Sequence, residues 1–288
     1  MNKRVVLITG TSTGIGMHTA VLLAQKGDIV YASMRNVEKS ESLTQLAKES
    51  GVKVNLLPLD VTSMESVEAA VAAVVSEQGR IDVLINNAGA GFVRTTEHAS
   101  LEDIAWVNDV NYMGVVRCTK AVLPHMRERR LGHIINICSV GGLVGQPFNE
   151  FYCAAKFAVE GYTESLASYV TPSFNVKFTL VEPGGVSTEF VNNVMGVSNL
   201  ATLPDDEYKP VLQKYLDSAR NRSSNEQAYI YQRPDQVAAV ILSCVENQNP
   251  PLRVRTSPWA EEFCNLKTAA DPDGLKLNSL VVSRFLNS

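Results

Sequence analysis

Apolar residues along this chain fall into short β-branched runs, separated by longer stretches with helical spacing. Residues 5–9 read as a strand that ends in a Gly-rich loop, and a helix follows over about 14–26 until Gly27 stops it. The pattern then predicts a strand at 29–33, a helix at 38–50 ended by Gly51, and a strand at 54–59 closed by Asp60. Thr62-Ser63-Met64-Glu65 opens a helix that runs to Gln78. Further strands are predicted at 81–85, 133–138, 176–181 and 252–255, with helical stretches at about 101–129, 150–169 and 234–246. Alternating strands and helices imply crossover connections and a parallel sheet. Right-handed crossovers then give an α/β, three-layer, doubly wound Rossmann-type fold with a mainly parallel seven-stranded sheet.

The alternation breaks after Pro183-Gly184. Residues 185–233 are polar and irregular, with one predicted helix at about 205–220. A segment this long between regular elements reads as a substrate lid. The tail from Trp259 is weakly helical, and neither repeats nor a second domain interrupt residues 1–288.

Composition narrows the function classes. The chain has 288 residues, 45% hydrophobic and 19% charged, with a net charge of −4. That balance gives no reason to expect nucleic acid or an anionic membrane as partner. Five scattered cysteines with no CxxC pair argue against a disulfide framework or a zinc site, and fit a cytoplasmic location. The four histidines, His18, His98, His125 and His133, lack metal-ligand spacing, so no metal is expected. The apolar run at 5–8 is too short for a signal-peptide core, and no stretch reaches membrane-spanning length.

Candidate chemistry centres on Tyr152 and Lys156. A spacing of four sets a phenol and an ammonium on one helical face, one turn apart. A nearby ammonium favours the phenolate, so the expectation is a lowered phenol pKa and a general acid/base. Ser139 ends a predicted strand thirteen residues earlier, at the carboxyl edge of the sheet where ligands bind. Asn111 lies inside a predicted helix, which its propensity disfavours, and marks a kink or a bound water. Cys138 and Cys153 flank Ser139 and Tyr152 and read as buried thiols.

A second group of motifs suits a dinucleotide. Thr9-Gly10-Thr11-Ser12-Thr13-Gly14-Ile15-Gly16 joins a strand to a helix. Glycines there allow close approach to a pyrophosphate, and the helix N-terminus offers N–H groups and the positive dipole end. The second strand ends Ser33-Met34-Arg35-Asn36, without the carboxylate that holds a ribose 2′-hydroxyl. Arg35 is available for a 2′-phosphate, which points to NADP(H) in preference to NAD(H), the latter still possible. Asp60 either accepts from the adenine amino group or caps the following helix. In Asn86-Asn87-Ala88-Gly89 the small residues admit an adenine ribose, while the amides either face it or bridge strands.

Together these residues resemble the short-chain dehydrogenase/reductase family. The matching features are TGxxxGxG at 9–16, NNAG at 86–89, Asn111, Ser139, YxxxK at 152–156, and Pro183-Gly184 with Thr188. The likeness covers about residues 4–257. The stretches 30–35, 139–142, 146–167 and 186–190 are similar to the branch containing estradiol 17β-dehydrogenase type 1 and photoreceptor retinol dehydrogenase.

The resemblance implies that Tyr152 exchanges a proton with the substrate oxygen, Lys156 lowers its pKa and binds the nicotinamide ribose, and Ser139 orients the oxygen. Asn111 would hold a water completing a proton relay. The cofactor would lie against Gly10, Ser12, Gly14, Ile15, Gly16, Arg35, Asp60, Val61, Asn87, Ala88, Gly89, Pro183, Gly184, Val186 and Thr188. The implied activity is interconversion of a ketone or aldehyde and an alcohol, with reduction the expected direction. Apolar Leu143, Val144, Phe148, Phe190, Val194 and Met195 suggest a hydrophobic substrate, with Ser139, Tyr152, Leu143 and Phe148 as its contacts. Steroid binding in that branch uses a lid histidine, and no histidine follows His133. A steroid or retinoid dehydrogenase is one alternative. A non-catalytic NADP(H) sensor or scaffold is the other, against which the intact Tyr152, Lys156, Ser139 and Asn111 speak. A homodimer or homotetramer through the two long helices is the assembly the resemblance implies.

Overall fold

The computed structural model describes residues 3–189 and 204–285. Seven parallel strands form one sheet: β1 (Val5–Thr9), β2 (Ile29–Met34), β3 (Asn55–Pro58), β4 (Val83–Asn86), β5 (Gly132–Ile137), β6 (Val176–Glu182) and β9 (Arg253–Arg255). Their order is β3-β2-β1-β4-β5-β6-β9. The direction of winding reverses between β1 and β4, where Val6 pairs with Val83 and Ile8 with Ile85. That reversal opens a crevice at the carboxyl ends of the strands.

Helices α1 (Gly14–Gln25), α2 (Glu41–Glu49) and α9 (Pro234–Glu246) cover one face. Helices α3 (Met64–Gln78), α5 (Gly114–Arg129) and α6 (Glu150–Phe174) cover the other. Alternation within β1 explains both cores. Val5 and Leu7 pack with Val67, Val122 and Ala167, whereas Val6 and Ile8 pack with Ala20, Leu43 and Ile241. Strands covered on both faces become continuous apolar runs, as in Val5 to Ile8, all fully buried.

Most predicted boundaries hold within a few residues, and the departures have local causes. The helix expected at 38–50 is a 3₁₀ turn at Val37–Lys39 followed by α2. Between α4 (Leu101–Asn108) and α5 lies a π-helical turn, Asp109–Met113, with Asn111 at its centre. This is the kink the mid-helix asparagine implied. Within residues 185–233, α7 (Tyr208–Arg220) is joined by features the pattern left unread. These are α8 (Ser224–Ile230) and a two-residue parallel pairing of β7 (Gly185–Val186) with β8 (Tyr231–Gln232). Such short elements carry too few residues to show a period. The tail forms α10 (Pro258–Thr268), capped by Ser257, and α11 (Leu275–Phe285). Helix α11 packs along α6, so it partly covers the helix face through which an oligomer was expected. Among the described residues, no helix is long and apolar enough to cross a membrane.

Candidate active site

Buried polar bonds hold α6 against the sheet and so place the residues at its N-terminal end. Asn86 Nδ2 donates to Asn136 Oδ1 at 2.8 Å, and Asn136 Nδ2 donates to Thr163 Oγ1 at 2.8 Å. Asn86 therefore bridges strands. Asn87 reaches the other way, donating to the carbonyls of Thr9 and Gly10 at 3.0 and 2.8 Å. Thr9 Oγ1 accepts from the N–H groups of Asn87 and Ala88. These bonds lock the loop after β1 to the end of β4, across the point where the sheet reverses.

A cavity of about 550 Å³ opens at this edge. It is lined on one side by Gly10, Ser12, Gly14, Ile15, Arg35, Asp60, Val61, Asn87, Ala88 and Gly89. Its floor and far wall include Asn111, Ser139, Tyr152, Lys156, Pro183, Gly184, Val186 and Thr188. Residues expected to bind cofactor or act on substrate thus converge from eight separate segments of chain.

The glycines of the first loop are needed for contact as well as for turning. Gly10 has φ 70°, and a Cβ there would lie 2.7 Å from Ala88 Cα. Gly14 has φ 58° and faces Thr188, whose Cγ2 would be 3.2 Å from an added Cβ. Only a residue without a side chain adopts these angles and gaps at low cost. Gly16, expected with the cofactor-binding residues, does not line the cavity. A Cβ there would meet Gly10 O at 2.4 Å and Asn87 Nδ2 at 2.5 Å, so it lets α1 pack against the loop. The cap of α3 is Ser63, whose Oγ accepts from Ser66 N–H. Asp60 instead accepts from Thr62 N–H and Oγ at 2.9 and 2.8 Å.

Ser139 and Tyr152 meet around Gly141. A Cβ at Gly141 would be 3.3 Å from both Ser139 Oγ and Tyr152 Cε1. Ser139 Oγ also accepts from Gly141 N–H at 3.0 Å, which turns the chain after β5. Lys156 is buried, its Nζ donating to Ile137 O at 3.0 Å and lying 5.7 Å from the Tyr152 ring centre. Burial lowers the Lys156 pKa, opposed by the acidic groups of Cys138 and Glu160. Burial works against the lowered phenol pKa expected from sequence. Burial of Tyr152 raises its pKa, and the Ser139 hydroxyl only partly offsets this.

Asn111 is buried and its amide is engaged. Nδ2 donates to Ala90 O at 2.7 Å and Val107 O at 2.9 Å, while Oδ1 accepts from Ala90 N–H at 3.1 Å. It flanks Gly89 together with Lys156, since a Cβ at Gly89 would be 3.0 Å from Asn111 Oδ1 and 3.7 Å from Lys156 Nζ.

Two expected substrate contacts fall elsewhere. Leu143 packs with Val140, Ala260 and Cys264, and Phe148 with Val93 and Leu212. Neither lines the cavity. Phe148, at φ 61°, packs its ring at a tilt against Tyr215 of α7, centroids 5.4 Å apart, and so anchors that helix to the turn before α6. Asn149 Nδ2 donates to Tyr215 Oη at 3.1 Å beside it. Val144 packs against Val140 and Leu143. Phe190, Val194 and Met195 lie outside the described residues.

The rest of the cavity wall comes from Gln146 and Asn149, within the stretch 146–167 that carried the resemblance, and from Tyr215, Ser218, Arg222 and Trp259, which spacing did not single out. Only the helix-opening Ser257-Pro258 pair and the apolar spacing of α7 could have hinted at the last four. Trp259 is wedged against Gly184, where a Cβ would be 2.7 Å from its ring.

Behind Ser139 lies a buried acid pair. Glu182 pairs with Arg255 at 3.2 Å, and Arg255 also binds Glu261 at 2.9 Å. Burial pushes Glu182 up to about 7 against the pull of Arg255. Glu160 is raised further by burial and by the Glu182 charge, with the Cys138 thiol and the Glu182 carboxyl beside it. All five cysteines are free and buried, and burial raises Cys138.

The short chain dehydrogenase family model matches residues 4–196. This chain belongs to that family. It is 42% identical over 275 residues to a 3-ketodihydrosphingosine reductase of Bacteroides thetaiotaomicron, covering 96% of each chain. It is 40% identical to retinol dehydrogenase 8 of Homo sapiens, covering 92% of this chain and 85% of the relative. It is 39% identical to human 17-beta-hydroxysteroid dehydrogenase type 1, covering 89% and 78%. A solved actinorhodin polyketide ketoreductase with NADPH superposes with a TM-score of 0.74 at 29% identity, covering 88% of this chain and 96% of that one. The family and its steroid and retinol branch, expected from the motifs, are those found. The chain is an oxidoreductase of alcohol and carbonyl groups.

Proposed function

We propose that this protein reduces a ketone or aldehyde on a hydrophobic substrate with NADP(H), using Tyr152 as the proton donor. The convergence of Ser139, Tyr152 and Lys156 at the floor of the cavity carries this reading. A nicotinamide nucleotide fits the opposite wall. The side-chain-free approach of Gly10 and Gly14 leaves room for a pyrophosphate at the N-terminus of α1. Arg35, exposed after β2 with no carboxylate beside it in sequence, would hold a 2′-phosphate. Bound there, the cofactor supplies the hydride.

The residues present do the rest. Ser139 Oγ and the phenol of Tyr152 would both donate to the substrate oxygen, and the phenol gives up its proton as that oxygen gains charge. Lys156 sets a positive charge beside the ring and stabilises the phenolate that remains. Because the Asn111 amide is engaged, a relay water would use main-chain carbonyls freed by the π turn. Reduction is the direction in the names of the Bacteroides relative and the polyketide enzyme.

Replacing Tyr152 by Phe is expected to lower carbonyl reduction by on the order of 10²-fold or more, with NADPH binding retained. Undiminished turnover across a carbonyl panel would overturn the mechanism and leave a nucleotide-binding role. For cofactor choice, Arg35→Ala should weaken NADPH by about tenfold and NADH little, as loss of one phosphate contact implies. Equal losses measured by fluorescence titration would exclude the 2′-phosphate role.

A further inference from the structure

Four charged residues line the cavity among the described residues: Arg35, Asp60, Lys156 and Arg222. Arg35 and Asp60 follow β2 and β3 on the wall assigned to the cofactor, and Lys156 belongs to the proton-transfer group. Arg222 has no such role. It sits in the joint between α7 and α8, on the substrate side.

Its surroundings hold the guanidinium without neutralising it. Nη1 donates to Tyr231 Oη at 3.1 Å, and the guanidinium carbon lies 5.9 Å from the Tyr231 ring centre. Tyr231 is itself fixed against Gly185, where a Cβ would be 2.8 Å from its ring. No carboxylate forms an ion pair with Arg222 among the described residues. Glu226, whose carboxylate feels the Arg222 charge, is committed to Ser223, accepting from its N–H at 2.8 Å and its hydroxyl at 2.7 Å. An arginine stacked on a ring, partly buried and short of an anion, is a preorganised carboxylate or phosphate site.

The position along the lid gives this cation a geometry. Tyr215, Ser218 and Arg222 follow one another at spacings of three and four, so one face of α7 and its end points into the cavity. Tyr215 is bonded to Asn149, three residues before Tyr152, so the stripe starts near the reacting centre. It ends at Arg222, two helical turns or roughly 10 Å farther on.

We propose that the substrate is an amphipathic carbonyl compound with an anionic group remote from the reacting carbon, and that Arg222 binds that group. The proposal rests on the reading of this cavity as a carbonyl reductase site. It adds a substrate class: an oxo acid in preference to a neutral or cationic ketone of the same length.

The test compares a medium-chain keto acid, its carbonyl and carboxylate about 10 Å apart when extended, with its methyl ester. Binding of each to the protein saturated with NADP⁺ is measured by calorimetry, in the unaltered chain, Arg222→Met and Arg222→Lys. The acid should bind about tenfold more tightly than the ester, the scale of one charge-assisted hydrogen bond. Arg222→Met should bring the two to parity, Arg222→Lys should keep part of the preference, and added salt should reduce it. NADP⁺ affinity should stay the same in all three. Equal binding of acid and ester by the unaltered chain would overturn the proposal. So would equal losses for both in Arg222→Met, or a loss confined to NADP⁺, which would assign Arg222 to the cofactor. Repeating the titration in Tyr152→Phe separates the two readings, because binding preference survives there even if the assignment of the proton donor fails.

Discussion

On one side of the cavity, Gly10, Gly14 and Gly89 bring main chain close to neighbouring segments at the edge of a seven-stranded sheet. On the other, Tyr215, Ser218 and Arg222 reach in from short helices that lie outside that sheet. The glycine side leaves little room for added volume, since Gly10 abuts the Ala88 backbone while Gly14 and Gly89 face the side chains of Thr188, Asn111 and Lys156. The lid side is held by a few side-chain contacts, chiefly Phe148 with Leu212 and Tyr215, and Asn149 with Tyr215. A rigid half and a replaceable half are what a fold needs to keep one chemistry while changing substrate.

The contrast can be broken most strongly at Gly10. Gly10→Ala forces a Cβ onto Ala88 at a left-handed φ, and should cost on the order of 2–4 kcal/mol of stability. Chemical denaturation reads this directly, and NADPH affinity should fall with it. A variant of unchanged stability would show that the loop is not packed as described.

Phe148→Ala addresses the lid. Burial of the ring between Val93, Leu212 and Tyr215 is worth on the order of 3 kcal/mol when lost from a core. Here the loss should be spent on detaching α7. Substrate KM should rise about tenfold while NADPH affinity stays constant. If cofactor affinity fell in parallel, the two sides would not be separable.

The smallest effect is expected where the sides join, at Glu160 and Glu182 beneath Ser139. Both carboxyls are raised in the folded state, so the native protein holds protons that the unfolded chain releases. Their contribution to stability is therefore full below the unfolded value of 4.5 and declines as pH rises through about 7. Glu160→Gln removes one titrating group and a like-charge neighbour. It should flatten the decline in melting temperature between pH 5 and 8, an effect on the order of 1–2 kcal/mol. An unchanged slope would mean the pair does not share this linkage.

Much of the glycine side was legible in the chain because its requirements are local. A β-branched run, a Gly-rich loop and a helix start report themselves within about ten residues, and NNAG and YxxxK mark the other walls by residue type alone. Gly16 was misassigned because a glycine needed for helix packing looks, in sequence, like one needed for ligand approach. Leu143 and Phe148 were misassigned because apolar character does not say which apolar surface a side chain joins. Tyr215, Arg222 and Trp259 lie 63, 70 and 107 positions beyond Tyr152, and no period or motif links them to it.

The sequence by itself determined the order of strands and helices, the nucleotide-type loop and the residues proposed for proton transfer. These follow from residue chemistry and near-neighbour spacing, which act before any distant contact forms. Tertiary structure alone decided that burial raises the Tyr152 phenol, and that Phe148 packs against α7. It also decided which cations line the cavity. Each depends on what is brought close by chain folding and on how much water is removed there, and neither quantity is written in the local order of residues.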